Sequence, residues 1–377
     1  MDSLLKDLER HAVSCKSGFV PESPSRALPN HYRPWEELAA SLPVLLQSGD
    51  ALIGRVASLP VLSTDLLVGD AEWQRAYVLL AFVIHGYVHG SRKKIIPLSL
   101  SEPFLQVCEH LGVEPVLSYA GLCIYNWAEG GDKGILDGLQ AQATFTGTLD
   151  EAAFYLTPVL VERKGGHLPA QMLQALLDAE NRDWQAVAAA LEGCSGALKA
   201  MTDVLDGLKL LRPDTFWHQI RPYIAGLQIS FERRDTAPLV VNLAGGSAAQ
   251  SSLFQFLDHI LGVKHANPLL EEMRGYMPRG HRDFLDQVEA LPSLTQLATV
   301  GNADAQIWLK LDKCRAMVRK WRDRHIAIVT RYIVLPAQAA ARKEGGKGPA
   351  VVGTAGSSPV AFLKEIRNDT VPTSTDS

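Results

Sequence analysis

A single histidine, His325, lies on the apolar face of the longest helix that the sequence predicts. Apolar residues recur four and three positions apart from Ile307 through Trp321 to Tyr332, which is the spacing of one continuous helical face. A histidine in such a place is most often a core side chain that is hydrogen-bonded to a neighbour. The alternative is a neutral imidazole that binds a metal or a haem iron inside an apolar cavity. Helical spacing alone does not separate these two interpretations.

Arg322 precedes His325 by three positions, so the two side chains lie on the same side of the predicted helix. A guanidinium in that position can pair with an anionic group such as a haem propionate, although a solvated surface arginine is the alternative. We expect the helix to span residues 304–334 and to end at Pro336, because proline has no amide proton.

A second arginine, Arg221, stands beside two aromatic residues in the segment 214–223. The spacing predicts a helix that begins at Asp214, with Trp217 and Arg221 one turn apart. Pro222 should kink or end this helix and so help to open a pocket. Arg221 could then hold a carboxylate through two parallel hydrogen bonds. The alternative is an amphipathic helix with a surface arginine.

A glycine-rich turn at residues 244–252 precedes an apolar helix expected over residues 253–261. Gly245 and Gly246 permit a tight turn and the close approach of another molecule. Ser247 could cap the following helix, and the free amides there suit a polar ligand group. The turn has neither the lysine of a phosphate loop nor a GxGxxG pattern, so alone it indicates only a helix start.

Other catalytic signatures are absent from the sequence. It contains no HExxH, no CxxC pair and no GxSxG. His85 and His89 are one turn apart and could bind a metal, but no carboxylate partner is evident nearby. We therefore rank this pair below His325 as a candidate site.

Helical periodicity dominates the sequence from Trp35 onward, after a proline-containing arm at residues 17–34. Helices are expected over 35–48, 50–58, 71–89 and 102–112, and short strands over 94–97, 115–118 and 238–242. These patterns predict a mainly α fold. Residues 1–145 would form a small, mostly helical domain with a little strand, and residues 146–377 a large all-helical domain. The composition of residues 338–359 predicts a mobile loop, followed by a short helix through 360–366.

Composition excludes several classes of function. The chain of 377 residues is 47% hydrophobic with a formal charge of -4, so we expect neither nucleic acid nor an anionic membrane as a partner. The five cysteines form no CxxC spacing, which argues against a disulfide scaffold or a structural zinc site. The N-terminus has no apolar signal core, and the longest apolar run, 76–84, is too short to cross a bilayer. We expect a soluble, cytoplasmic protein and, by default, a monomer.

Taken together, several stretches resemble the indoleamine 2,3-dioxygenase family in the same order along most of the chain. The strongest are GGSAAQSS at 245–252, MRGYMPRGHRDFL at 273–285 and RDRHIAIVTRYIVLP at 322–336. Weaker support comes from VLSYAGLCIYNW at 116–127, and the match begins near LPNHY at 28–32. Several long matches in the right order are more specific than any single motif. The resemblance implies a small N-terminal domain and a large helical domain that encloses haem b.

The resemblance also implies roles for individual residues. His325 would be the proximal ligand of the haem iron, and Arg322 would contact a propionate. Arg221 would bind the substrate carboxylate, and Phe216 and Trp217 would stack on the indole. The family's inner pocket matches Tyr119, Leu122, Cys123 and Phe154. The loop over the haem edge matches Gly246, Ser247 and Ala248, and Asp258 follows that loop. The family's mobile GTGG loop matches Gly353, Thr354, Ala355 and Gly356.

Three positions depart from the family's pattern. The family has Phe where this chain has Trp217, and Ala355 replaces one glycine of the mobile loop. The family's distal Ser aligns with Pro158, or with Thr157 if the register shifts by one. Pro158 has no hydroxyl, which puts a role for a distal hydroxyl in doubt.

By resemblance, the expected activity is that of a haem-dependent dioxygenase with dioxygen as co-substrate. It would open the indole ring of L-tryptophan, or of a related indole, to N-formylkynurenine, the first step of kynurenine-type tryptophan catabolism. No protein acid or base is expected in the pocket. Two alternatives stay open: a haem enzyme acting on another indole in secondary metabolism, for example by a rearrangement without dioxygenation, and a haem- or ligand-binding sensor with little turnover.

Overall fold

Helices make up most of the chain. The structure, a computed structural model, describes residues 1–48, 50–131, 134–343, 353–354 and 359–370. It is 66% helical and 6% strand, which confirms the mainly α prediction.

Sixteen α-helices are present in the described ranges, and they follow the predicted helical segments closely in the first part of the chain. They are α1 (Asp2–Lys6), α2 (Arg33–Leu45), α3 (Ala51–Ala57), α4 (Gly69–His85), α5 (Leu98–Leu111), α6 (Leu149–Lys164), α7 (Leu168–Glu180), α8 (Trp184–Val204), α9 (Pro213–Thr215), α10 (Ser252–Leu261), α11 (Pro268–Arg274), α12 (Arg279–Glu289), α13 (Leu294–Val300), α14 (Ala305–Val329), α15 (Leu335–Lys343) and α16 (Pro359–Asp369).

Two small sheets accompany the helices. The strands are β1 (Ile95–Ile96), β2 (Trp127–Glu129), β3 (Leu139–Ala141), β4 (Leu227–Phe231) and β5 (Leu239–Leu243). β2 and β3 form an antiparallel pair, and the other sheet has the order β1-β4-β5. In it β1 runs parallel to β4, with Ile96 opposite Phe231, and β4 runs antiparallel to β5. The strands predicted near residues 94–97 and 238–242 are therefore confirmed.

The strand predicted over residues 115–118 is wrong, and side chains account for the difference. The Tyr77 hydroxyl lies 2.6 Å from the Val116 carbonyl oxygen, to which it donates, and accepts from the Ser118 amide at 3.2 Å. The Leu117 amide donates to the His85 Nε2 at 2.9 Å. Because buried side chains satisfy these backbone groups, the segment needs no neighbouring strand.

Polar side chains fix the starts of the helices that build the cavity described below. The Thr148 hydroxyl accepts from the Glu151 amide at the start of α6, and Asp304 accepts from the Gln306 and Ile307 amides at the start of α14. Ser251, and not Ser247 as predicted, caps α10. Ser247 instead caps a short 3-10 turn, Ala248–Gln250, within the glycine-rich segment.

The long helix α14 packs along α8, and α6 and α7 pack on the other sides of α8. The C-terminal helix α16 lies against α14. Near the N-terminus, α4 packs between α2 and α5. One continuous apolar core includes buried residues from both sides of residue 145, and the sheet pairs β1 with β4 across that point. The division into two domains stays a prediction.

The segment after His325 does not end at Pro336. A π-helical turn, Thr330–Val334, follows α14, and α15 then continues to Lys343. A π turn widens the backbone by one residue, so a proline just beyond it costs less than in a regular helix. The predicted loop therefore does not begin at residue 338, and most of the remaining loop, including Ala355 and Gly356, lies outside the described residues.

No helix in the described ranges is both long and apolar enough to cross a bilayer.

Candidate active site

A large apolar cavity lies between α6, α14, the segment 205–224 and the glycine-rich turn. Its empty volume is about 1440 Å³, counted with its open mouth. Eleven of the site residues predicted from the sequence line it: Tyr119, Leu122, Cys123, Phe154, Phe216, Arg221, Gly246, Ser247, Ala248, His325 and Thr354. Two others, Trp217 and Arg322, are not among its lining residues.

His325 projects from α14 into the cavity. Within the described part of the chain, neither of its ring nitrogens has a hydrogen-bond partner, which favours the interpretation as a metal ligand over that as a hydrogen-bonded core histidine. Burial, with a smaller contribution from the charge of Arg322, lowers the pKa of His325 to about 4. The imidazole is therefore neutral near pH 7, which is the form that donates a lone pair to a metal.

Two aromatic residues that the sequence analysis did not assign to the site form the wall beside His325. The Trp321 ring centroid lies 5.2 Å from that of His325 and 3.9 Å from that of Phe254. Both aromatic residues line the cavity. Trp321 lies on the same apolar helical face as His325, so the periodicity could have predicted its place in the wall. Nothing in the sequence alone predicts that Phe254 of α10 lies beside them.

Arg221 is the only permanently charged side chain among the described lining residues. It follows a π-helical turn, Phe216–Ile220, and begins a 3-10 turn, Arg221–Ile224, which contains Pro222. The helical segment thus changes its type beside Pro222 and ends after Ile224. The Arg221 guanidinium lies over the Trp217 ring, 4.7 Å from its centroid. Trp217 thus supports the arginine from outside the cavity, and its predicted stacking on an indole has no support in this arrangement.

Arg322 faces away from the cavity into a buried polar network. Its Nη2 pairs with the Asp258 Oδ2 at 2.6 Å, and its Nη1 donates to Thr370 Oγ1 and to the Ile366 carbonyl. The predicted contact with a propionate is therefore not supported here. The i−3 spacing identified the correct side of α14, but the partner, Asp258, is distant in the sequence and could not be read from it.

The opposite wall is built from aromatic residues and α6. The rings of Phe154 and Phe216 lie 4.7 Å apart between centroids. Pro158 and Thr157 both line the cavity, and the Thr157 hydroxyl donates to the Ala153 carbonyl at 2.8 Å. The one hydroxyl available on this stretch of α6 is thus engaged with its own helix, which supports the doubt about a distal hydroxyl.

Tyr119, Leu122 and Cys123 reach the cavity from a second π-helical turn, Ala120–Ile124, and the residue before it. The Tyr119 hydroxyl donates to Glu162, whose Oε1 also accepts from Ser251 at 2.6 Å. Burial raises the pKa of Glu162 to about 7, although both hydrogen bonds oppose the shift. This carboxyl stands behind the cavity wall and not in it, as it is absent from the lining.

The glycine-rich turn and Thr354 close one side of the cavity. The Gly245 amide donates to the Thr354 carbonyl at 2.9 Å, and the Thr354 hydroxyl donates to the Gly246 carbonyl at 2.8 Å. A Cβ at Gly246 would lie 2.2 Å from Leu122 Cδ1, so a larger residue there would require the Leu122 side chain to move.

The residues that line the cavity agree in part with those expected of a haem-binding site. A neutral histidine without a partner, set in a large apolar cavity, suits an axial iron ligand. No group of three or more His, Cys, Asp or Glu side chains in the described ranges could hold a bare metal ion, and both His85 nitrogens are occupied by hydrogen bonds. Among the lining residues that the structure describes, Arg221 carries the one permanent positive charge.

Comparison with known proteins agrees with the geometry. Residues 7–373 match the family described as indoleamine 2,3-dioxygenase. A 6-hydroxytryptophan 2,3-dioxygenase from Fusarium equiseti is 35% identical, over 98% of both chains. The indoleamine 2,3-dioxygenase of Saccharomyces cerevisiae is 31% identical over 97% of this chain and 93% of its own, and indoleamine 2,3-dioxygenase 1 of Mus musculus is 30% identical over 96% and 94%. The chain belongs to the indoleamine 2,3-dioxygenase family, whose members are oxidoreductases.

Proposed function

We propose that this protein is a haem-dependent dioxygenase that opens the indole ring of L-tryptophan, or of a related indole, to the N-formylkynurenine product. The observation that carries the proposal is the pairing, in one apolar cavity, of a neutral, unpartnered His325 with a single cation, Arg221. A ligand that is apolar except for one carboxylate matches this distribution.

The roles of the chain's own residues follow from their positions. His325 would hold the iron of haem b, and Trp321 and Phe254 would pack on the same side. When bound, haem b supplies the redox chemistry through which both atoms of dioxygen enter the product. Arg221 would bind the substrate carboxylate in the low-dielectric cavity, and Phe154 and Phe216 would contact the ring. Gly246, Ser247 and Thr354 would exclude water from that side.

No acid or base needs to be assigned for this reaction. The cavity lining in the described ranges contains no Asp, Glu or Lys. His325 would bind the iron and so would not act as an acid or a base. The chain would therefore act through binding, orientation and exclusion of water. A cytoplasmic location and a monomeric state stay predictions.

A second candidate is a related indole of secondary metabolism. It is favoured by the similarity to a 6-hydroxytryptophan 2,3-dioxygenase. It also fits the position of the family's distal serine, which aligns with Pro158, or with Thr157 if the register shifts by one. Incubation of the reduced protein with dioxygen and either L-tryptophan or 6-hydroxytryptophan decides between them. Formation of N-formylkynurenine from L-tryptophan supports the first candidate. Ring opening of the hydroxylated substrate alone favours the second, and binding without ring opening of either contradicts both.

A further inference from the structure

We propose that His85 is a positioning residue that fixes two walls of the cavity, residues 117–123 and residues 216–224, relative to each other. This inference rests on the proposed function in one respect only, the binding of a substrate carboxylate by Arg221. His85 is the last residue of α4 and is fully buried, away from the cavity lining.

The imidazole bridges the two walls through both of its nitrogens. Its Nδ1 lies 2.8 Å from the Tyr223 carbonyl oxygen, and its Nε2 lies 2.9 Å from the Leu117 amide nitrogen. An amide N–H can only donate, so Nε2 must be the unprotonated acceptor. The proton is then on Nδ1, which donates to the Tyr223 carbonyl. The geometry thus specifies a single neutral tautomer.

Each bond reaches a segment that carries site residues. Leu117 stands two positions before Tyr119 and five before Leu122, and Tyr223 stands two positions after Arg221. The π-helical turn that follows His85 packs against the 3-10 turn Arg221–Ile224. The end of α4 and the π-helical turn after it, Gly86–Gly90, therefore organise the backbone that presents Arg221.

The two hydrogen bonds of His85 differ in how well other contacts hold the same backbone segment. On the Leu117 side, the Tyr77 hydroxyl also bonds the backbone of Val116 and Ser118. On the Tyr223 side, the Tyr223 ring stacks on that of Phe145, with 4.8 Å between the ring centroids. Stacking constrains the ring more than the direction of the backbone. We therefore expect loss of the Tyr223 bond to disturb Arg221 more than loss of the Leu117 bond disturbs Tyr119.

Two substitutions separate the bonds. In place of His85, the side-chain amide of an asparagine would lie near the position of imidazole Nδ1. The side-chain amide of a glutamine would lie near the position of Nε2. His85→Asn keeps a donor for the Tyr223 carbonyl, whereas His85→Gln keeps an acceptor for the Leu117 amide. His167→Gln, the same change at an exposed histidine outside both walls, is the matched control.

The readouts are the dissociation constants of L-tryptophan and of indole, and amide hydrogen exchange in peptides that cover residues 116–119 and 221–226. We expect His85→Gln to weaken L-tryptophan about tenfold and indole less than about twofold, since only tryptophan offers a carboxylate to Arg221. Exchange should rise in 221–226. His85→Asn should weaken L-tryptophan less than about threefold, with exchange rising in 116–119.

Equal losses for the two ligands, or the same exchange pattern in both variants, would overturn the positioning role. Should His85→Gln not fold, nitrogen NMR of the wild-type histidine still decides. An Nε2–H tautomer, or titration between about pH 6 and pH 8, contradicts the bridge. If the wild-type protein binds neither L-tryptophan nor 6-hydroxytryptophan, the proposed function fails, while the hydrogen-exchange and tautomer results still test the role of His85.

Discussion

At the level of single residues, the cavity combines an imidazole that can donate a lone pair to a metal with a guanidinium that can donate hydrogen bonds to an anion. His325 is neutral because burial opposes its charged form, and Arg221 keeps its charge although burial lowers its pKa. A carboxylate of a ligand would form a charge-assisted hydrogen-bonded pair with this guanidinium in the apolar cavity. The arrangement therefore favours a ligand that brings a carboxylate to Arg221 and an apolar ring to the rest of the wall.

Replacement of this cation tests its role directly. Arg221→Leu should weaken the binding of L-tryptophan by roughly ten- to a hundredfold, the effect of losing a charge-assisted hydrogen-bonded pair. Indole should bind nearly as well as before, because it has no carboxylate. Titrations that follow the absorption spectrum give both constants. Equal losses for the two ligands would remove Arg221 from this role.

The buried carboxyl behind the cavity wall predicts a pH effect on stability. The pKa of Glu162 in the folded chain is raised to about 7 by burial, so the charged form is disfavoured in the folded state. Stability is therefore lost as the pH rises from the ordinary carboxyl pKa toward about 7. Glu162→Gln keeps an acceptor for Ser251 without a charge. Between acid and mildly alkaline pH, the variant should gain on the order of 2–3 kcal/mol relative to wild type.

Urea unfolding at several pH values measures this difference. Tyr155→Phe serves as a control, because it removes a hydroxyl that donates to a different carboxylate, that of Glu151. A Glu162→Gln protein whose stability ran parallel to that of wild type at every pH would show that Glu162 ionises normally in the folded state.

At the scale of elements, the site depends on departures from regular helix. Four π-helical turns occur in the described ranges: Gly86–Gly90, Ala120–Ile124, Phe216–Ile220 and Thr330–Val334. Three of them carry lining residues, and the fourth follows His85. Such turns shift side chains off the regular helical face, and they often occur at functional sites. The cavity is thus formed where the helices are locally widened.

Sequence periodicity predicted the helices better than it predicted these turns. It identified the apolar face of α14 with Trp321, His325 and Tyr332, because the spacing of a regular helix is set locally. It did not identify the π turn before Pro336, since the widening depends on what the helix packs against. It also placed Arg322 on the correct side of α14 but could not supply Asp258, which reaches it only through the tertiary fold.

The C-terminal helix α16 is attached to the rest of the chain by a polar network that also holds Arg322. His265 bridges Asp369 of α16 at 2.9 Å and Asp258 of α10 at 3.0 Å. Burial opposes the charge on His265, but its hydrogen bonds and the charge of Asp258 outweigh this and raise its pKa. The resulting stabilisation is present below the ordinary histidine pKa and is lost as the pH rises through the raised value.

Removal of His265 should therefore abolish part of the pH dependence of the free energy of unfolding. His265→Gln is expected to lower stability by about 1–2 kcal/mol in mildly acid solution and by less in alkaline solution. Thermal unfolding across pH, with the exposed His167→Gln as a control, measures the difference. A penalty that grew with rising pH would mean that His265 is neutral in the folded chain.

At the scale of the whole molecule, the two parts expected from the sequence share a core. The apolar cluster is continuous across residue 145, and β1 pairs with β4. Local periodicity could not predict this pairing, because β1 has two residues and β4 did not stand out from its surroundings. His85 connects the same two parts behind the cavity wall.

A shared core predicts cooperative unfolding. Calorimetry of the haem-free protein should show a single transition, because neither part buries its apolar surface alone. Two separated transitions would instead support independent domains that meet at residue 145.

One absorption spectrum can show whether His325 holds a haem in the cavity beside Arg221. Purified wild-type protein should show an intense Soret band, whereas His325→Ala should lose most of that band and its bound haem while remaining folded by circular dichroism. A folded His325→Ala protein with full haem content and the wild-type Soret band would contradict the account.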